Sequence, residues 1–267
     1  MMTWGVANLI VRFRKRAALD RVSLSIQPGV VHAVVGGDGA GKTTLLRVLA
    51  GIGLGATGTV TLPGAGKIGY VPPAGGVFGD LSVDENMQFV ADAYRLSGWE
   101  NRAGTLLARA GIGQFGERLA GKLSGGQRRK LAGSMALLPE PELLVLDEVT
   151  TGVDPVSRMD LWRLIAAAAA DGAAVVVATS YLDEAERAGH VLLLHDGVAM
   201  ASGPPGEITA TVAGSVRDLD SPIDRATAWR RGRRWRQWDP DGEPRDGGMT
   251  LEDVAIISEL STGGDGA

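Results

Sequence analysis

The sequence predicts an α/β fold: a mainly parallel sheet around a glycine-rich loop, an antiparallel β section at the N-terminus, and a run of helices inserted between strands. Three observations predict it. The apolar run Val30 to Val35 feeds a glycine-rich loop and then a helical pattern, Leu45-Leu46-Arg47-Val48-Leu49. Two further apolar runs, Leu143 to Leu146 and Ala174 to Ala178, end in polar residues, Asp147-Glu148 and Thr179-Ser180. Between the first run and the other two, residues 82 to 138 carry helical rather than strand periodicity. Short buried strands alternating with helices make a parallel sheet.

The loop is Gly36-Gly37-Asp38-Gly39-Ala40-Gly41-Lys42-Thr43-Thr44, and it meets G-x-x-x-x-G-K-[ST] from Gly36 to Thr43. Its strand-before, helix-after context is the one in which this pattern binds phosphate. Glycines let the backbone turn tightly and present N–H groups to a phosphate. The following helix adds its positive dipole end. Lys42 is a point charge for β- and γ-phosphates, and Thr43 offers a hydroxyl to Mg²⁺. An ordinary glycine turn into a helix is the plainer reading of the loop taken alone.

Bulk properties narrow the classes. The chain has 267 residues, 45% of them hydrophobic, with mean hydropathy +0.07, enough for one large domain and some extension. A net charge of −4 argues against nucleic acid as a general partner. With no cysteine, disulfides, thiolate metal sites and thiol nucleophiles are excluded. His32, His190 and His195 are scattered, which disfavours a zinc site. The start MMTWGVANLI is too short and polar for a signal peptide. No apolar run reaches the length of a membrane span, and Asp171-Gly172 breaks the nearest candidate, Leu164 to Thr179. A cytoplasmic protein is expected.

Along the chain, Ala7 to Val11 and Val22 to Ile26 read as strands, the second alternating as a half-buried antiparallel strand does. Phe13 follows the first; it either stacks on a nucleotide base or packs on its own loop. Gly58 to Leu62 and Lys67 to Val71 are short strands, closed by Pro72-Pro73. Ser82 with Glu85 three residues on forms a capping box before Met87, Phe89, Val90 and Tyr94. A second helix covers about Arg102 to Ala110. Leu123-Ser124-Gly125-Gly126-Gln127-Arg128-Arg129-Lys130-Leu131 then opens a third, whose N-terminal N–H groups suit a phosphate or simply cap a helix.

Asp147 and Glu148 end a buried strand, where ligands of open parallel sheets bind. One carboxylate can hold Mg²⁺ and the next can orient or deprotonate a water. Asp154-Pro155 starts a helix to Ala170, and Leu182 to Arg187 reads as another. His195-Asp196-Gly197 turns a hairpin. Pro204-Pro205 is expected to close the compact domain. Trp229 to Trp238 interleaves arginines with three tryptophans; an edge strand with arginines facing water is favoured over a headgroup- or partner-binding patch. Thr250 to Leu260 reads as a short helix, and Ser261 to Ala267 as disordered.

The order of phosphate loop, LSGGQRRKL, apolar strand with Asp147-Glu148, and Thr179-Ser180-Tyr181-Leu182-Asp183-Glu184-Ala185-Glu186 resembles the ATP-binding subunit of ABC transporters. The resemblance spans residues 1 to about 210. GDLSVDEN, DEVTTGVDP, SYLDEAER and TLEDVAI are most similar to the drug- and multidrug-exporter branch. It implies a P-loop NTPase core with Gly36 to Thr44 as the Walker A loop and Phe13 as the adenine-stacking aromatic. Residues 74–138 become an inserted helical signature subdomain, and 211–267 a small C-terminal extension. Ser124 to Gln127 is the signature, and Asp147 the magnesium carboxylate beside Thr43. Glu148 is the catalytic base, with Lys42 as its catalytic partner on the phosphates. Asp154 lies in a loop that touches the partner.

The resemblance also implies ATP and Mg²⁺ as cofactors and a head-to-tail dimer with a second ATP-binding subunit, the same chain or another. A membrane-spanning permease subunit would hold the dimer peripherally on the inner face of the cell membrane. Exported drugs or other small molecules would be the cargo. Two departures cluster at one site: Pro73 stands where the family usually has a glutamine, and Ser180 where it usually has a histidine. Proline has no side-chain donor or acceptor, and serine is short and uncharged. Asymmetric, slow turnover at this chain's own site is the expectation. The alternative is a non-transport ABC ATPase or an ATP-gated regulatory module.

Overall fold

A computed structural model describes residues 3–14, 16–243 and 248–263. In chain order the strands and helices begin with β1 (Trp4–Phe13), β2 (Arg16–Ile26), β3 (Val31–Val35), α1 (Lys42–Leu49), β4 (Thr57–Thr61) and β5 (Ile68–Val71). The helical section follows: α2 (Val83–Tyr94), α3 (Glu100–Arg109) and α4 (Gly125–Leu137). Then come β6 (Leu143–Asp147), α5 (Pro155–Ala170), β7 (Ala174–Thr179), α6 (Leu182–Ala185), β8 (His190–His195), β9 (Val198–Gly203) and α7 (Pro205–Thr211). The chain ends in β10 (Ser215–Leu219), β11 (Ala228–Arg231), β12 (Arg234–Asp239) and α8 (Leu251–Gly263).

Among the described residues the central sheet has the order β5-β6-β7-β3-β8-β9. All its neighbouring pairs are parallel except β8 with β9. The reason is visible in burial. Every residue of β6 and of β7 is buried, as a strand covered on both faces requires. Leu144, Leu146, Val175 and Val177 face a cluster with α2 to α5, while Leu143, Val145, Val176 and Ala178 face α1 and the N-terminal sheet. That alternation is the period of two of a pleated strand. The N-terminal sheet, β2-β1-β4, is antiparallel throughout.

Helix α1 buries Leu45, Leu46, Val48 and Leu49 against β6 and β7. Truncating one such leucine to alanine costs about 2–5 kcal/mol. This packing holds the preceding loop at the end of β3.

The capping box expected at Ser82 is formed: Ser82 Oγ accepts from the Glu85 N–H at 3.1 Å, and Glu85 Oε2 accepts from the Ser82 N–H at 2.7 Å. The helix at 102–110 starts slightly earlier, at Glu100. Pro205 opens α7, because proline suits the first turn of a helix. Three expectations change. Helix α6 stops at Ala185, two residues short of Arg187. β12, carrying Trp235 and Trp238, is the middle strand of the sheet β10-β12-β11 and not an edge, so Arg236 is buried. The helix at the C-terminus continues to Gly263, so residues 261–263 of the stretch expected to be disordered are helical. Residues 264–267 lie outside the described residues.

Candidate active site

Three strand ends lie side by side. Val35 pairs with Thr179, and Asp147 with Ala178, so the loops leaving β3, β6 and β7 converge at one sheet edge. This is the carboxyl end of the parallel strands, where open α/β sheets bind ligands. Gly41 caps α1 at φ +105°, and a Cβ there would lie 2.7 Å from the Ala18 carbonyl oxygen of β2. Only glycine combines that conformation with that approach.

Lys42 is the hub. Its Nζ donates to the carbonyl oxygens of Gly36 (2.8 Å) and Gly37 (3.1 Å) and to Ser180 Oγ (3.2 Å). It also pairs with Glu148 Oε1 at 3.3 Å. The ammonium is buried, so each partner offsets a desolvation cost. Glu148 sits at φ +52°, a left-handed conformation that a side chain of this size rarely adopts. The neighbouring turn, with the Glu148 N–H on the Ala178 carbonyl, holds it there. Such strain is typical of functional positions.

Thr43 Oγ1 donates to Asp147 Oδ1 at 3.2 Å. Asp147 is fully buried, and its Oδ2 accepts no hydrogen bond among the described residues. Burial is the main cause that raises the Asp147 pKa, with Thr43, Arg47 and Lys42 opposing and Glu148 adding. A buried carboxylate with an open oxygen beside a threonine hydroxyl is the oxygen donor set a hard divalent cation takes. The Tyr70 hydroxyl lies near the carboxylate without a well-formed hydrogen bond; burial and the Asp147 charge push its pKa up.

Phe13 ends β1 at the hairpin to β2 and is half exposed, with its ring open to solvent. Ala18, two residues into β2 past that hairpin, lies against the Gly41 turn, which brings the aromatic to the same side of the molecule as the phosphate loop. Ser124 and Gln127 cap α4 reciprocally, Oγ from Gln127 N–H at 3.2 Å and Oε1 from Ser124 N–H at 2.9 Å. Gly126 packs on α5, where a Cβ would lie 2.5 Å from Ser157 Oγ. Among the described residues no hydrogen bond or ion pair joins residues 124–127 to the loop at 36–44. Pro73 lies in the turn closed by Gly75 N–H on the Pro72 carbonyl.

Sequence reading passed over Arg129, on α4. Its Nη1 is buried without a hydrogen bond, burial and Arg128 lower its pKa, and Glu148 and Asp147 oppose that shift. It also passed over Glu184, whose partners lie in the loop after β6, at the end of β7 and on α5.

Comparison with known proteins bears on the family and the fold. Residues 19–151 match the family described as "ABC transporter". The Nod factor export ATP-binding protein I of Cupriavidus metallidurans is 33% identical over 214 residues, covering 75% of this chain and 71% of that protein. The chain belongs to the ABC transporter ATP-binding family. A second relative of this ABC chain, the probable multidrug ABC transporter ATP-binding protein YbhF of Escherichia coli, is 40% identical over 220 residues. That match covers 78% of this chain and 38% of the relative, so the chain spans about two-fifths of the relative's length. The solved ATP-binding subunit of an ABC transporter has the same fold, with a TM-score of 0.76 at 23% identity over 97% of this chain and 100% of that one. cbiO1 from Clostridium perfringens, part of the ABC transporter complex cbiONQ, aligns at a TM-score of 0.67 and 26% identity over 79% and 92%. Among the described residues no helix is long and apolar enough to cross a membrane.

Proposed function

We propose that this ABC chain binds and hydrolyses ATP to power an exporter of drugs or other small molecules, working on the inner face of the membrane through a permease subunit. The observation that carries the ATPase reading is the hub at Lys42, which gathers the phosphate loop, Ser180 and Glu148 around one buried cation. Residues 1–210 form the ATP-binding domain in this reading, with 74–138 inserted and 211–267 as an extension. The export reading follows the names of the relatives, a multidrug transporter and a Nod factor exporter.

ATP would exchange the partners of Lys42. Phosphate oxygens would take the place of the neutral Ser180 hydroxyl on the ammonium and, carrying several charges, would compete with the single charge of Glu148. Glu148, released from its ion pair, can then accept a proton from the attacking water. Asp147 and Thr43 would hold Mg²⁺, which supplies charge neutralisation on the phosphates. Phe13 offers a stacking face for the adenine, and the backbone N–H groups of the loop carry the phosphates.

Among the described residues no hydrogen bond or ion pair ties Ser124 to Gln127 to the chain's own hub, which supports a head-to-tail dimer, in which that segment serves a nucleotide on a second ATP-binding domain. Pro73 and Ser180 weaken the chain's own site, so the pair turns over asymmetrically and the working partner is a different ATP-binding subunit. Restoring histidine tests this. Ser180→His is expected to raise the ATPase rate of the purified chain at least tenfold. An unchanged rate would contradict asymmetry and favour a homodimer in which Ser180 suffices.

A further inference from the structure

Glu184 is fully buried at the start of α6, between the loop after β6 and the corner after β7. Its Oε2 accepts from Thr150 Oγ1 at 2.8 Å and from Thr179 Oγ1 at 2.8 Å. Thr179 Oγ1 in turn accepts from the Tyr181 N–H at 3.0 Å, so the hydroxyl is used once as donor and once as acceptor. This pins the backbone on both sides of Ser180, whose Oγ receives Lys42. On the other side, Thr150 lies in the turn closed by the Thr151 N–H on the Glu148 carbonyl. Glu184 Oε1 faces Arg158 Nε at 3.6 Å without a hydrogen bond, and Arg158 lies over the Tyr181 ring at 4.9 Å. Arg158 is one turn into α5, hydrogen-bonded through its N–H to the carbonyl of Asp154, the cap of that helix.

A carboxylate is costly to bury without partners. Here two hydroxyl donors and one cation come from three separate elements, and all three lead to the reacting groups. We propose that Glu184 is a positioning residue for ATP hydrolysis: it fixes Ser180 and Glu148 relative to each other and links both to the Asp154 end of α5. The proposal rests on the ATPase reading above. Because Ser180 is shorter than histidine, its reach to Lys42 depends on where the backbone is held, and that backbone is what Glu184 holds.

The test uses the full chain with Glu184→Gln, Thr150→Val, Thr150→Ser and the parent. Amide hydrogen exchange is followed in the peptide containing Ser180 and Tyr181. Affinity for a fluorescent ATP analogue, kcat, KM and the urea midpoint are measured beside it. Glu184→Gln and Thr150→Val are expected to accelerate exchange at Tyr181 at least tenfold and to lower kcat at least tenfold, with KM and analogue affinity within about threefold. Thr150→Ser keeps the donor and should restore both, which a packing role alone would not produce. If Glu184→Gln fails to fold, the pair at Thr150 decides. Parental exchange at Tyr181 overturns the positioning, and faster exchange with parental kcat overturns its link to the chemistry. A parent chain without turnover overturns the ATPase reading instead, while the exchange readout still decides whether Glu184 positions Ser180.

Discussion

Asp147 carries a buried carboxylate with one oxygen on Thr43 and the other without a hydrogen bond. Burial raises its pKa, so the folded state favours the protonated acid. The sign follows: the group is neutral to stability below its unfolded pKa and destabilises as pH rises through its folded pKa. Asp147→Asn keeps an acceptor for Thr43 and removes the charge. The metal-free variant should therefore be more stable than the parent at neutral pH, by about 1 kcal/mol, with the gain vanishing in acid. Urea unfolding from pH 3 to pH 8 checks this; a loss at neutral pH would contradict it. Lys42→Ala should weaken ATP-analogue binding at least tenfold by titration fluorescence, because it removes the only side-chain cation hydrogen-bonded to the loop carbonyls of Gly36 and Gly37 among the described residues. Lys42, Thr43 and Asp147 were legible in the sequence because each belongs to a contiguous pattern whose chemistry is local. Glu184 was not: the donors to its carboxylate lie 34 and 5 residues away, in the loop after β6 and at the end of β7, and an acidic residue at a helix start has an ordinary explanation.

Helix α2 shows what a sequence pattern reveals at the scale of an element. The Ser82–Glu85 box is readable because both halves are in one turn, and it formed. The helix also depends on Asn86, which is fully buried. It accepts from the Phe78 N–H at 2.9 Å and donates to the carbonyls of Phe78 (3.0 Å), Leu81 (3.3 Å) and Ser82 (2.8 Å). These bonds tie the 78–82 loop to the helix start. Asn86→Ala strands those groups and should cost about 3 kcal/mol, read from urea unfolding, whereas Ser82→Ala should cost about 1 kcal/mol. An equal cost for the two would contradict this account of the loop. The strands of the central sheet were legible as apolar runs with polar ends. Their order in the sheet was not, since pairing across β3, β7 and β6 is set by packing of helices that periodicity does not locate.

Across the whole molecule, a buried ion pair joins the sheet β10-β12-β11 to α8. Arg236 on β12 binds the fully buried Asp253 of α8, the carbonyl of Gly248 at 2.7 Å, and Asp218 of β10 at 3.4 Å. Neighbouring arginines are also matched: Arg217 with Asp239, Arg234 with Asp220 at 3.5 Å, and Arg231 with Glu252 at 4.0 Å. Composition showed arginines and tryptophans but not their acids, which come from distant segments. Asp253→Asn removes one charge of the buried pair, a change of the kind that costs about 3–5 kcal/mol. Limited proteolysis should then cut after Thr211 faster than in the parent, with ATP-analogue affinity unchanged; an unchanged cleavage rate would contradict the tie. The most direct test of the central claim is the ATPase rate per molecule against concentration, for the chain alone and for Glu148→Gln. The expected result is a rate that stays slow across the concentration range, as a site weakened by Pro73 and Ser180 would give, and that disappears in the variant. A rate equal to that of Glu148→Gln at every concentration would contradict the claim that this ABC chain hydrolyses ATP through Glu148.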